Sequence, residues 1–245
     1  MVESIPESIP YRQRRLPQRG AFRVHPDPGA LPHLTHSGPG RNRYDDPLNA
    51  YGVRYVAENL TGALLETMAR FRAVPTVQSR LAAVIGVEDD DPSYSQMDAI
   101  RDWLAMQRVG LVTLADPRAL VDVHDPLLLA DINKHYQVVA ALEASELGTT
   151  LNPATLDEGV IRLGGPRARP ITQAVSRAMY EGYRDVVGGI AYRSRLDDQE
   201  WCWALWDDTD VIVVDEPLTP LRRHHRQAVQ HAATTLEIQL PLNWH

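Results

Sequence analysis

Residues 186–215, VVGGIAYRSRLDDQEWCWALWDDTDVIVVD, hold three runs rich in β-branched and aromatic residues, GGIAYRS, WCWALW and DVIVVD, separated by turns. Runs of that length and composition read as strands, so a sheet must lie at the centre of whatever this chain forms. Two earlier runs add to it. In AFRVH, Phe22 and Val24 alternate with Arg23; in VRYVA, Val53, Tyr55 and Ala57 share one face while Arg54 and Val56 share the other. GLVTL and ALVDVHD also read as strands. Helical signals are interspersed. Asn59 is placed to cap a helix reaching about Arg72, whose stripe is Leu60, Leu64, Thr67 and Phe71, widened by Met68. SQMDAIRDWLAMQ is predicted as a capped helix, PLLLADINKHYQVVAALEASELG as one long helix closed by glycine, and a further helix starts near Ile171. LTPLRRHHRQAVQHAATTLEIQL reads as a helix followed by a short strand. Strands and helices mix without a regular βαβ rhythm, which predicts an α+β (mixed α/β) domain.

Residues 1–20 are rich in proline and arginine without a period, and are expected to form a flexible tail before one domain over 21–245. HPDPGALPHLTHSGPGRNR is expected to be a loop and EDDDPSYS an exposed acidic loop. A chain of 245 residues is long enough to bury a substantial core. Its net charge of −7 gives no global reason to expect nucleic acid, and no helix-turn-helix pattern is present. The chain has no apolar run of about 20 residues that would span a bilayer, and no secretory core at its start. The expected setting is a bacterial cytoplasm, with no membrane partner. Cys202, the single cysteine, lies between Trp201 and Trp203 and is expected to be buried rather than reactive.

Several chemistries fail on spacing. His224 and His231 share a helix face but stand two turns apart, about 10 Å, too far for one ion. His25, His33 and His36 have no acid or thiol partner at a familiar spacing, so no metal is expected. GGPRARP resembles a phosphate cradle but lacks a lysine-hydroxyl pair. No G-x-S-x-G elbow occurs, and Ser194 is flanked by Arg193 and Arg195.

The segment from Arg23 to Glu66 does hold parts for a doubly charged, ring-bearing ligand. Arg23 and Arg43 are fixed cations able to grip phosphate in two places, and Tyr44 and Tyr55 supply rings and hydroxyls. Glu66 lies off the apolar stripe of its helix. It has two readings: a surface pair with Arg70 at i, i+4, or a carboxylate presented to a ligand.

The order AFRV, GRNRYDDP, VRYVAENLTGALLETM and GGIAYRSRLDDQEWCWALWDD resembles the RES domain family, over about residues 21–215. The resemblance implies an ADP-ribosyltransferase-like fold, a central mixed sheet with flanking helices, and consumption of NAD. It carries the family arginines onto Arg23 and Arg43, the aromatic site onto Tyr44, the strand tyrosine onto Tyr55, the glutamate onto Glu66 and the serine onto Ser194. Glu66, Arg43 and Tyr55 would then be catalytic, with Arg23, Arg43, Tyr44, Tyr55 and Ser194 binding NAD, the substrate, without metal. Thr172 and Gln173 are alternatives to Ser194 for lining the same pocket. Asp45 departs from the family's usual asparagine, and residues 73–165 stand where compact members are shorter, which suggests a helical insertion. The acceptor of the ADP-ribosyl group stays open among water, phosphate and a macromolecule, as does a module that binds a nucleotide without turning it over. The resemblance further implies a toxin whose antitoxin covers the pocket, with any DNA binding left to that second chain. WCWALWDDTDVIVV offers an edge for self-association.

Overall fold

The computed structural model describes residues 9–26, 42–72, 96–116, 118–145, 155–163 and 168–244. The loop containing His33 and His36, the acidic run at 88–95, Gly148 and most of GGPRARP lie outside them. In chain order the elements are β1 (Ala21–Pro26), β2 (Val53–Ala57), α1 (Leu60–Met68) with a 3-10 turn (Ala69–Phe71), α2 (Gln96–Ala105), β3 (Gln107–Leu114), β4 (Ala119–Asp122), α3 (Pro126–Ile132), α4 (Tyr136–Ala144), α5 (Glu158–Arg162), α6 (Arg169–Tyr183), β5 (Val187–Arg193), β6 (Trp201–Trp206), β7 (Val211–Pro217) and α7 (Arg223–Leu236), closing on a second 3-10 turn (Leu242–Trp244). The strands form one mixed sheet, in the order β4-β5-β6-β2-β1-β3-β7. Only the β4–β5 pairing is parallel. This is an α+β fold.

Alternation along the strands divides the sheet into two faces. Val24, Ala57, Val109, Ile190, Tyr192, Cys202, Ala204 and Trp206 pack under the helices, in one cluster with Leu64 and Leu65 of α1, Val175 of α6 and Val229 of α7. Ala21, Val56, Val112, Ala191, Trp203 and Leu205 form a smaller cluster on the other face. Within the larger cluster the Tyr51 ring stacks on Tyr180 at 3.9 Å, and both meet Trp206 edge-on. Close approach of β5 to β6 requires glycine at one point: a Cβ on Gly189 would stand 2.4 Å from the Ala204 carbonyl oxygen. That approach brings Tyr192 into register with Cys202 beneath α1.

Residues 9–20 do not behave as a free tail. Ile9 and Tyr11 are buried with the helices, and the Tyr11 hydroxyl donates to Asp131 at 3.0 Å and bonds the Tyr183 hydroxyl at 2.8 Å. The chain then crosses the outer edge of β4. Gln13 bridges Val121, Arg14 N donates to Leu120 O and Asp122 N donates to Arg12 O, both at 2.8 Å. Leu16 finishes against the smaller cluster. The guanidinium groups of Arg12 and Arg14 reach the buried Asp122 at 3.4 and 3.6 Å. A sequence without periodicity is here held by edge pairing and an acid it could not see.

Three further expectations change. The stretch 73–165, expected as a helical insertion, supplies to the central sheet the two strands read from GLVTL and ALVDVHD: β3 is an inner strand between β1 and β7, and β4 ends the sheet. The long helix is two helices, α3 and α4, broken where Asn133 turns its amide to Leu156, Nδ2 donating to Leu156 O at 2.8 Å and Oδ1 accepting from Leu156 N at 2.7 Å. Among the described residues no strand follows α7: Glu237 ends it with φ of 58°, and the chain continues irregularly to the last 3-10 turn. Among the described residues no helix is long and apolar enough to cross a membrane.

Candidate active site

Glu66 and Ser194 meet on the helix-covered face. Ser194, buried just past the end of β5, donates from Oγ to Glu66 Oε1 at 2.7 Å, and Leu196 N donates to the same Oγ at 3.1 Å. The serine proton is thereby committed to the carboxylate, and one oxygen of Glu66 is held in a fixed direction. Among the described residues no other hydrogen bond engages the Glu66 side chain. The surface alternative is not what forms: Arg70 Nε donates to Thr67 O at 3.0 Å instead of pairing with Glu66.

Two anchors set the distance between the strand end and the helix. Asn59 caps α1 by accepting from Gly62 N at 2.9 Å, a contact worth about 1 kcal/mol. Its amide nitrogen donates to both oxygens of Glu200, at 2.8 and 2.7 Å, and Glu200 O accepts from Ser194 N at 2.9 Å. The residue that caps the glutamate helix is therefore tied to the hairpin that carries the serine.

Arg43 enters from the 42–46 loop. That loop is over-determined. Asp45 Oδ1 accepts from the Tyr55 hydroxyl at 2.9 Å, Asp45 Oδ2 accepts from Asn42 N and Nδ2 at 2.8 and 3.0 Å, and the Tyr55 oxygen accepts from Tyr44 N at 3.0 Å. Every role of Asp45 is that of an acceptor, which suits a carboxylate. Burial first, and then Asp45, push the Tyr55 phenol well above its ordinary pKa, so it stays a donor. Both hydrogen-bonding capacities of Tyr55 are spent on shaping the loop. Buried Asp46 accepts from Arg177 Nη1 of α6 at 3.1 and 3.0 Å, and Gln173 Nε2 donates to Asn42 O at 2.9 Å. Gln173 thus supports the loop, while the Thr172 hydroxyl turns back to Arg169 O.

The Arg43 guanidinium lies 5.3 Å from the Tyr44 ring and 5.4 Å from the Tyr192 ring, and those rings pack at 4.9 Å. Nη2 donates to Ile161 O of α5, while Nε and Nη1 are buried with no hydrogen-bond partner among the described residues. Burial works against its charge, but Tyr44, Tyr192 and Glu66 outweigh that and leave its pKa above the ordinary arginine value. Tyr44 is fully buried, a ring under the arginine. Cys202 lies beneath the cluster, where burial, Glu66 and Glu200 push its thiol far up and keep it inert.

Arg23 is not brought to this cluster. It shares a strand face with Ala21 of the smaller core, opposite Phe22, which pairs with Ala57 on the Tyr55 side. There Arg23 Nη1 and Arg54 Nε are buried with no hydrogen-bond partner among the described residues. Burial and then Arg54 pull the Arg23 pKa down to about 10. The cluster therefore unites Arg43, Tyr44, Tyr55, Glu66 and Ser194, with Tyr192 as a member that sequence reasoning did not single out. Tyr192 was legible in the alternation of GGIAYRS.

Two surface hollows, of about 510 and 450 Å³, lie elsewhere, and none of these residues lines them. Glu216, His224 and His225 also gather, their ligand-capable atoms within 4.8 Å of one another. His225 Nδ1, however, accepts from Thr219 N at 3.3 Å, so Nε2 carries the proton of the neutral ring and faces Glu216 Oε1 at 3.2 Å. Arg222 Nη2 holds the same carboxylate at 2.7 Å, which makes the group an ion-pair cluster.

The RES domain family model matches residues 20–226. No curated protein matches the chain. Among solved structures, a chain of the M. tuberculosis MbcT-MbcA toxin-antitoxin complex is similar, at 12% identity and a TM-score of 0.48, over 90% of this chain and 92% of that one.

Proposed function

The chain belongs to the RES domain family, and on that premise we propose that it consumes NAD by cleaving the bond between nicotinamide and ribose, as a glycohydrolase or a phosphorylase. The observation that carries this reading is the Ser194–Glu66 contact at 2.7 Å, with buried Arg43 in the same cluster. As the bond between the ribose anomeric carbon and the nicotinamide nitrogen breaks, its electron pair passes to the nitrogen and positive charge builds on the ribose. A carboxylate fixed beside that ring stabilises the transition state more than the ground state. Glu66 supplies it, and the Ser194 hydrogen bond removes the need to orient it during reaction. Arg43 supplies unfilled donors for the diphosphate, and the Tyr44 and Tyr192 rings support the guanidinium from below. Tyr55 acts through the loop it shapes. An acceptor oxygen from water or phosphate then bonds to the ribose carbon and releases its proton. In this reading the chain is a toxin, and a protein antitoxin covers Arg43 and Glu66.

The test is incubation of purified protein with NAD, with and without phosphate, following NAD loss and product identity beside Glu66→Ala. Loss of NAD that the substitution reduces by 100-fold or more is expected, and the product names the acceptor. Intact NAD in the presence of active-looking binding would replace this reading with that of a nucleotide-binding module.

A further inference from the structure

At the end of β4 the backbone ladder to β5 is completed by a side chain. Val123 N donates to Ala191 O at 2.9 Å, and the next donor along β5, Arg193 N, donates to the imidazole Nε2 of His124 at 3.2 Å. A backbone N–H can only donate. His124 Nε2 is therefore the acceptor, and in the neutral ring the proton resides on Nδ1.

That Nδ1 is buried and has no hydrogen-bond partner among the described residues, in a side chain only 7% exposed. Glu158 Oε1 stands 3.8 Å away, beyond hydrogen-bond distance, on a side chain 59% exposed. His124 and Arg43 both face α5, His124 toward Glu158 and Arg43 through the carbonyl of Ile161. One residue further along β5 is Ser194, the partner of Glu66. This edge of the site thus gathers buried donors that no described residue receives: Arg43 Nε, Arg43 Nη1 and His124 Nδ1. Unfilled buried donors are costly, and a phosphate oxygen, with several lone pairs and a charge, answers more than one of them.

We infer that His124 is a binding residue of the Glu66 site, its Nδ1–H donating beside Arg43 to a diphosphate oxygen of the bound dinucleotide. The inference rests on the NAD reading above for the identity of the ligand. It also excludes a role as general base, since the only lone pair on the ring is already taken by Arg193 N. The groups whose charges reach the ring are Asp122, Glu158, Arg162 and Arg43, and burial holds its pKa below the ordinary histidine value, which keeps it a neutral donor near pH 7.

The two ring nitrogens can be separated by substitution. His124→Gln can set an oxygen to receive Arg193 N while leaving no donor where Nδ1 stood; His124→Asn keeps a nitrogen near Nδ1 and gives up the strand contact. Calorimetric titration with ADP-ribose, and with adenosine as a probe lacking phosphate, reads binding apart from turnover. The expected result is a roughly tenfold weaker ADP-ribose affinity in His124→Gln, an affinity within about threefold of the parent in His124→Asn, and no change for adenosine. Unchanged ADP-ribose affinity in His124→Gln overturns the inference. So does an equal loss in both variants accompanied by a lower melting temperature, which assigns His124 to the fold alone, or a parent protein that does not bind ADP-ribose. Binding by the parent without NAD loss would sink the proposed reaction and leave His124 standing; NAD loss with unaltered KM in His124→Gln would do the reverse.

Discussion

The two faces of the sheet treat the same residue type in opposite ways. On the helix-covered face, Arg43 lies over two tyrosine rings within reach of the Glu66 charge, and the environment favours its cation. On the other face, Arg23 is buried near Arg54, and burial followed by that like charge disfavours it. The pair Phe22↔Ala57 fixes the difference: it puts Phe22 on the Tyr55 side, and Arg23, one residue later, must point away. What a buried cation can do depends on the acceptors and rings it meets: strand parity keeps Arg23 from those the 42–46 loop gives to Arg43.

The comparison breaks most sharply on activity. Arg43→Met is expected to lower kcat/KM for NAD by about 100-fold, in line with the ~1.5–3 kcal/mol of a charged hydrogen bond, while Arg23→Met stays within about twofold. Steady-state kinetics on both variants checks this, and equal losses would move Arg23 into the site. Ser194→Ala should have the next largest effect, about tenfold on kcat with KM little changed, because it frees Glu66 from its fixed direction without removing its charge. A rise in KM alone, with kcat unchanged, would argue that Ser194 serves binding.

Stability sharpens the contrast in the other direction. Arg23 in the fold has a pKa of about 10 against an ordinary 12.5, so the unfolded chain binds more protons between those values and folding gains as pH rises through them. The penalty is complete below pH 10. Arg23→Met should therefore raise the melting temperature by a few degrees at pH 7, with the gain shrinking above pH 10 in paired unfolding measurements. The smallest effect concerns His25, His124 and His225, each held below the ordinary 6.5, by burial first. The unfolded chain takes up their protons first, so stability should decline as pH falls below 6.5; a flat acid limb to about pH 5 in denaturant melts would contradict it.

Much of this was legible beforehand because it is local. The alternation in β1 and β2, the Asn59 cap and the three late strands follow from neighbours in sequence. The pairing of Glu66 with Ser194 was available only through family resemblance, since 128 positions separate them. What sequence could not supply depends on distant partners. Asn133 breaks a helix because Leu156 comes to it, residues 9–20 are ordered because Asp122 and the β4 edge receive them, and His124 matters because Arg193 N points at it. The alternation in AFRVH already set Arg23 against its neighbours; only the register told which side Glu66 and Arg43 share.

The wrapped arm has a consequence for assembly. A sheet normally offers two open rims to any strand from another molecule, and two rims permit growth without end. Here Gln13 and its neighbours occupy the rim at β4, whereas no described residue pairs with the outer side of β7, where Ile212 and Val214 are exposed. With one vacant rim among the described residues, strand addition joins a molecule there once. Association of that kind stops at a pair and cannot propagate into a fibre.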